Sequence, residues 1–276
     1  MRELVWAVVE EYRRLCGARR AADWDDITRL AHDKLVSMGT AVPAYDHVFV
    51  DEGQDFTPIG LRVAALLAGK EANLMVVFDP AQSIYEKGFR WKACGVTAHG
   101  GRSFSLQKNH RNPTQILDFA RPLLEAIHND PTEADGGGRE DLIRPVPGAR
   151  AGSSPEIVKA AHGHEAEHVA AQIRALLEEQ RIPPQNIAVL CYQAYKRARI
   201  VAALEKVGVL CQSHDGTSDL RLTDPSVKVL TMHSAKGLEF PVVFLVASAR
   251  DLRVPTAHSE PADAAAFIAR TRKVLY

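Results

Sequence analysis

His47-Val48-Phe49-Val50-Asp51-Glu52-Gly53-Gln54-Asp55 and, further on, Leu74-Met75-Val76-Val77-Phe78-Asp79 are the stretches on which the fold turns. Each is a short apolar run, rich in β-branched residues and ending in an acid, the pattern of strands buried on both faces of a parallel sheet. Between them, Pro58 to Leu67 has the pattern of a helix. Strand, helix, strand is the crossover unit of an α/β fold. It carries Asp51, Glu52 and Asp79 to strand C-termini, the sheet edge where ligands bind in open parallel sheets.

Upstream, apolar residues recur at helical spacing from Glu3 to Leu15 and again from Asp25 to Met38, with Asp23 or Asp25 placed to cap the second helix. Downstream, Ser105 to Asn112 leads into a helix over Thr114 to Ile127. Turn-forming residues then dominate from Asn129 to Ser154, including Gly136-Gly137-Gly138. This stretch is the expected boundary, with one domain over 1–128, a linker over 129–154 and a second domain over 155–276. In the second domain the pattern predicts a strand at Glu156 to Ala160, a helix at Glu165 to Glu179 and a strand at Ile187 to Cys191. A helix at Ala194 to Val207 and strands at Val227 to Thr231 and Val242 to Val246 follow. The expected fold class is α/β, with two parallel-sheet domains of similar design.

A chain of 276 residues accommodates two domains of ordinary size. Its hydrophobic fraction of 46% and charged fraction of 25% exclude a chain too polar to bury a core. Lys plus Arg and Asp plus Glu both number 34, so global charge gives no argument for nucleic acid and none against a local basic groove. Cys16, Cys94, Cys191 and Cys211 are widely spaced, without the pairs expected of a zinc site or a disulfide framework. No run of about 18 apolar residues is present, and Glu3, Glu10 and Glu11 interrupt the start. A cytoplasmic protein without a membrane partner is the expectation.

Four segments could carry chemistry. Adjacent carboxylates after a buried strand, as at Asp51-Glu52, are the arrangement by which NTPases hold Mg²⁺ and orient an attacking water; acids there also serve merely to cap the next helix. In Asp79-Pro80-Ala81-Gln82-Ser83-Ile84-Tyr85, Gln82 is placed to hydrogen-bond a phosphate, and an Asp-Pro helix cap is the plain alternative. In Leu106-Gln107-Lys108-Asn109-His110-Arg111-Asn112, a guanidinium suited to bidentate phosphate contact stands near a helix start. Thr231-Met232-His233-Ser234-Ala235-Lys236-Gly237-Leu238-Glu239-Phe240 crowds hydroxyl, imidazole, ammonium and carboxylate groups into one loop between strands. Such a mixture suits gripping a phosphate and accepting a hydrogen bond from a ribose hydroxyl.

In this order and at these element boundaries, DEGQD, DPAQSIY, LQKNHRN and TMHSAKGLEF resemble motifs II, III, IV and V of the UvrD/Rep-type superfamily 1 DNA helicases. Asp23-Trp24-Asp25-Asp26-Ile27 is similar to the DFDDL segment that precedes motif II in that family. The resemblance implies two RecA-like domains, the first incomplete at its N-terminus, and an ATP-driven motor that moves along single-stranded DNA from 3′ to 5′ in repair or recombination. Its cofactors would be ATP and Mg²⁺. Asp51 would hold the metal, Glu52 would activate water, and Gln82 and Arg111 would contact phosphate. Glu239, with Gly237 beside it, would meet the nucleotide. His233, Ser234, Tyr85, Trp91 and Asn109 would lie along single-stranded DNA, where aromatics stack on bases; domain-interface packing is the plain alternative for Trp91.

The family's phosphate-cradling G-x-x-x-x-G-K-[ST] does not occur in these 276 residues, since Gly69-Lys70 is followed by Glu71. A motif VI arginine is not matched either, and Arg270 and Arg272 are not substitutes. The span from Cys211 to Asp224 is too short for the accessory insertion of many relatives. Phe78 stands where Gly commonly precedes motif III, and His110 where Tyr is frequent in motif IV. The expectation is therefore an incomplete motor. Alternatives are a non-catalytic RecA-like binding module and half of a split helicase whose partner polypeptide supplies the P-loop.

Overall fold

Arg2–Arg19 forms helix α1 and Trp24–Met38 forms α2, with Asp23 serving both. One oxygen of its carboxylate accepts the Asp26 N–H at 2.7 Å and so caps α2; the other accepts the Tyr12 hydroxyl of α1 at 2.7 Å. Two helices without a buried residue on α2 are thus joined through one side chain. Strand β1 (Val48–Val50), a tight turn at Gly53–Asp55, helix α3 (Pro58–Leu67) and strand β2 (Leu74–Val76) follow. Thr57 caps α3 by accepting the Gly60 N–H at 3.2 Å, and Pro58 occupies the first helical turn, where no donor is needed.

The structure is a computed structural model that describes residues 2–42, 45–69, 73–79, 94, 96, 102–128, 145–148, 150–161, 163–214 and 219–247. It divides into two units, residues 1–109 with 127–146 and residues 110–126 with 147–276. In the first, β1 and β2 are parallel, pairing Val48 with Leu74 and Val50 with Val76. Leu61 and Ala64 of α3 pack with Val50 and Cys94 against Val48, Leu74 and Val76. Burial on both faces was the expectation, and here the structure differs: Phe49 is 74% and Met75 54% exposed. Alternate strand side chains point to opposite faces, and α3 covers only one of them. The short strand β3 (Lys108–Asn109) lies beside β4 (Val146–Pro147), with the Val146 N–H donating to the Gln107 carbonyl at 2.7 Å.

Helix α4 (Thr114–His128) begins in the second unit. The segment leading into that unit holds its first turn: the Thr114 N–H donates to the Arg150 carbonyl at 3.0 Å, and the Gly152 N–H donates to Gln115 Oε1 at 3.0 Å. Helices α5 (Glu165–Glu178) and α6 (Lys196–Lys206) cover a sheet of β5 (Ile187–Cys191), β6 (Cys211–Ser213), β7 (Val227–Thr231) and β8 (Val242–Val246). All pairs are parallel, in the order β6-β7-β5-β8. The α/β class and its parallel sheets are thus present. Ile173, Ile200 and Leu204 from the helices meet Ile187, Val189, Val227 and Val229 in one core. Burial pushes the Cys191 thiol up to about 11, so it packs there as a small apolar side chain.

One local expectation fails. Glu156 to Ala160 is not a strand, and Ile157 is 76% exposed; β-branched residues make a strand only against a neighbour, and among the described residues this segment pairs with none. Conversely, Cys211–Ser213, with one apolar residue, becomes a strand because β7 offers it an edge. Lys228 of β7 is fully buried, and its ammonium donates to Ser226 Oγ at 2.8 Å, the Asp224 carbonyl at 3.1 Å and Gln212 Oε1 at 3.3 Å. Three acceptors match its three protons. Desolvation holds it below the usual lysine range, with Asp224 acting in the opposite direction.

Candidate functional site

In the first unit, the main chain continues the ladder beyond β1 and β2. The Val77 N–H donates to the Val50 carbonyl at 2.8 Å, and the Gly53 N–H donates to the Val77 carbonyl at 2.8 Å. Between these bonds the first segment holds one residue more than a regular parallel ladder, and Glu52 takes up the excess in the left-handed region at φ 52°, ψ 42°. That conformation is uncommon for a residue with a Cβ and is retained where surrounding contacts over-determine it. Gly53 is one such contact: a Cβ on it would lie 2.6 Å from Val76 Cγ1 and 3.3 Å from the Val77 carbonyl oxygen.

Asp51 is exposed and its Oδ1 accepts the Glu52 N–H at 2.9 Å, while Glu52 is half-buried. Gln54, only 6% exposed, donates from Nε2 to Glu52 Oε2 and accepts the Asp79 N–H on Oε1 at 2.9 Å. The acids after β1 and Asp79, three residues beyond β2, are thereby brought together, as the strand C-termini implied. Hard carboxylate oxygens at a sheet edge fit Mg²⁺, which keeps several waters and phosphate oxygens and needs one or two protein carboxylates. Among the described residues there is no cluster of three or more His, Cys, Asp or Glu side chains placed to enclose a metal.

In the second unit, β7 ends in a turn shaped by its own hydroxyls. Thr231 Oγ1 and Ser234 Oγ are 2.7 Å apart, the Thr231 N–H donates to Ser234 Oγ at 3.1 Å, and the Ser234 N–H donates to Thr231 Oγ1 at 3.1 Å. Ser234 is committed to the turn, whereas His233 is exposed. Gly237, at φ 79°, supplies the left-handed residue that turns the chain toward β8. Beyond it, Glu239 Oε1 lies 2.8 Å from the Arg111 guanidinium, both side chains being exposed. The Arg111 carbonyl is held by Arg150 Nη1 at 3.0 Å. Two residues expected to meet a nucleotide therefore meet each other.

Asn109 is half-buried in β3. Gln82, Tyr85 and Trp91 lie outside the described residues. Gln54 has no role by spacing alone, although a polar residue beside a buried strand end implies a partner. Among the described residues, no helix is long and apolar enough to cross a membrane.

Residues 1–93 match the UvrD/REP helicase N-terminal domain, and residues 209–266 match the UvrD-like helicase C-terminal domain. The chain belongs to the UvrD/Rep helicase family. The first match contains Asp51, Glu52 and Asp79, and the second contains the turn from Thr231 to Glu239. The chain is 27% identical over 136 residues to DNA helicase II of Escherichia coli, an alignment covering 45% of this chain and 18% of that protein. It is 28% identical over 140 residues to ATP-dependent DNA helicase PcrA of Leuconostoc citreum, covering 46% and 18%. It is 26% identical over 130 residues to ATP-dependent DNA helicase srs2 of Schizosaccharomyces pombe, covering 45% and 14%. The alignments thus span about a fifth or less of these family members' length.

Proposed function

We propose that this UvrD/Rep-family chain forms part of a cytoplasmic ATP-dependent helicase or translocase that moves from 3′ to 5′ on single-stranded DNA in repair or recombination. Residues 1–128 and 155–276 contribute to its two RecA-like domains. The observation that carries this reading is the acid pair after β1, with Glu52 held in a left-handed turn and tied by Gln54 to Asp79. On it, Asp51 binds Mg²⁺, which when present offsets phosphate charge and orients the phosphates. Glu52 orients the attacking water and accepts its proton. Gln82 and Arg111 contact phosphate, and Glu239 with Gly237 borders the nucleotide. His233, Ser234, Asn109, Tyr85 and Trp91 line the DNA path. No G-x-x-x-x-G-K-[ST] occurs in the 276 residues, and a partner polypeptide that supplies the phosphate cradle is part of this proposal.

Glu239 and Arg111 lying 2.8 Å apart favours a second reading, a non-catalytic module that binds nucleic acid or a protein partner. ATP hydrolysis by protein containing this chain, with and without single-stranded DNA, separates the two. The helicase reading expects DNA-stimulated hydrolysis that drops on the order of a hundredfold or more in Asp51→Ala. Hydrolysis indifferent to that substitution overturns the assignment of Asp51. DNA binding without hydrolysis supports either the module or a motor fragment that lacks its phosphate cradle.

A further inference from the structure

We propose that Gln54 is a positioning residue that couples the Glu52 carboxylate to the backbone at Asp79, so that the two shift together. This rests on the reading of Glu52 as the water-orienting carboxylate. The orientation of the amide follows from its partners. A backbone N–H can only donate, so Asp79 must face Oε1, and this leaves the Nε2 donor for the carboxylate of Glu52. Both ends of the side chain are therefore used, in a position 6% exposed where little water competes.

The bridge spans 25 positions of sequence and joins the turn after one parallel strand to Asp79, three residues beyond its neighbour. It is separable from the backbone frame. The Gly53 N–H donates to the Val77 carbonyl at 2.8 Å and maintains the approach of the two segments without Gln54. What the amide adds is direction. It fixes where the Glu52 side chain points, and a displacement of the Asp79 N–H turns the amide and moves the carboxylate with it.

The test uses Gln54→Met, which has similar length and neither hydrogen bond, together with Glu52→Gln, in isotope-labelled protein. The expected result is an upfield shift of the Asp79 amide proton in Gln54→Met. In Glu52→Gln the Gln54 side-chain amide protons also shift upfield, because a charge-assisted bond becomes a neutral one. In DNA-stimulated hydrolysis, Gln54→Met lowers kcat by on the order of tenfold to a hundredfold and leaves KM for ATP within about twofold, the signature of a misplaced group that does not hold substrate. Either resonance unmoved, or a raised KM at constant kcat, overturns the proposal. Both shifts in a native protein that has a phosphate cradle and still does not hydrolyse ATP remove Glu52 from catalysis while leaving its coupling to Asp79 intact.

Discussion

Gly53 has Val76 Cγ1 2.6 Å from the place where any larger residue would put its Cβ. Gly53→Ala must push β2 away or twist the turn, and overpacking of this kind costs about 1 to 3 kcal/mol. The expected outcome is earlier thermal unfolding of the first unit, accompanied by an upfield shift of the Asp79 amide proton as the Gln54 bridge lengthens. A melting curve and an amide spectrum of the variant check both. At this scale the acids were legible, because an apolar run ending in Asp51-Glu52 states where it stops and what stands there. The role of Gln54 was not, since its partner Asp79 is 25 residues away and the link depends on a strand register that no local pattern contains. The Arg111–Glu239 pair was illegible for the same reason: each residue was read toward a ligand, and neither sequence segment points to the other.

Among the elements, the α1–α2 pair is held by a pH-dependent contact. The Asp26 N–H and then the Tyr12 hydroxyl hold the Asp23 carboxyl below the usual carboxylate range, while the same carboxylate pushes the Tyr12 hydroxyl up. A carboxyl lowered on folding contributes stability that is fully present above its unfolded value, about 3.9, and is lost as pH falls through the lower folded value. Amide protection in α1 and α2 is therefore expected to fall in that acid window. Asp23→Asn, which still caps but carries no charge, should lose this pH dependence when amide exchange is followed on acid titration. Caps and periodicity made the helices legible, and α3 begins and ends where Pro58 and Leu67 imply. Strands were legible where an apolar β-branched run met a partner strand, as in β1, β2, β5, β7 and β8; Glu156 to Ala160 has the composition without the neighbour, and β6 has the neighbour without the composition.

Over the whole molecule, the two units differ in how much they bury. The first described sheet has two short strands with Phe49 and Met75 exposed, and the second has four strands with helices packed on a core of fully buried aliphatics. Amide exchange in β5 and β7 should accordingly be slower than in β1 and β2, and Leu204→Ala should cost about 2 to 5 kcal/mol in the second unit. Equal protection in both sheets would contradict this ranking. The second sheet also contains a safeguard of a different kind. Gln212 of β6 stands opposite Lys228 of β7. A slip of one residue along that edge would turn Gln212 to the opposite face and strand a desolvated ammonium short of an acceptor. The Gln212 bond thus adds more to the cost of a one-residue slip than to the correct pairing, and Lys228 biases the alignment of that edge.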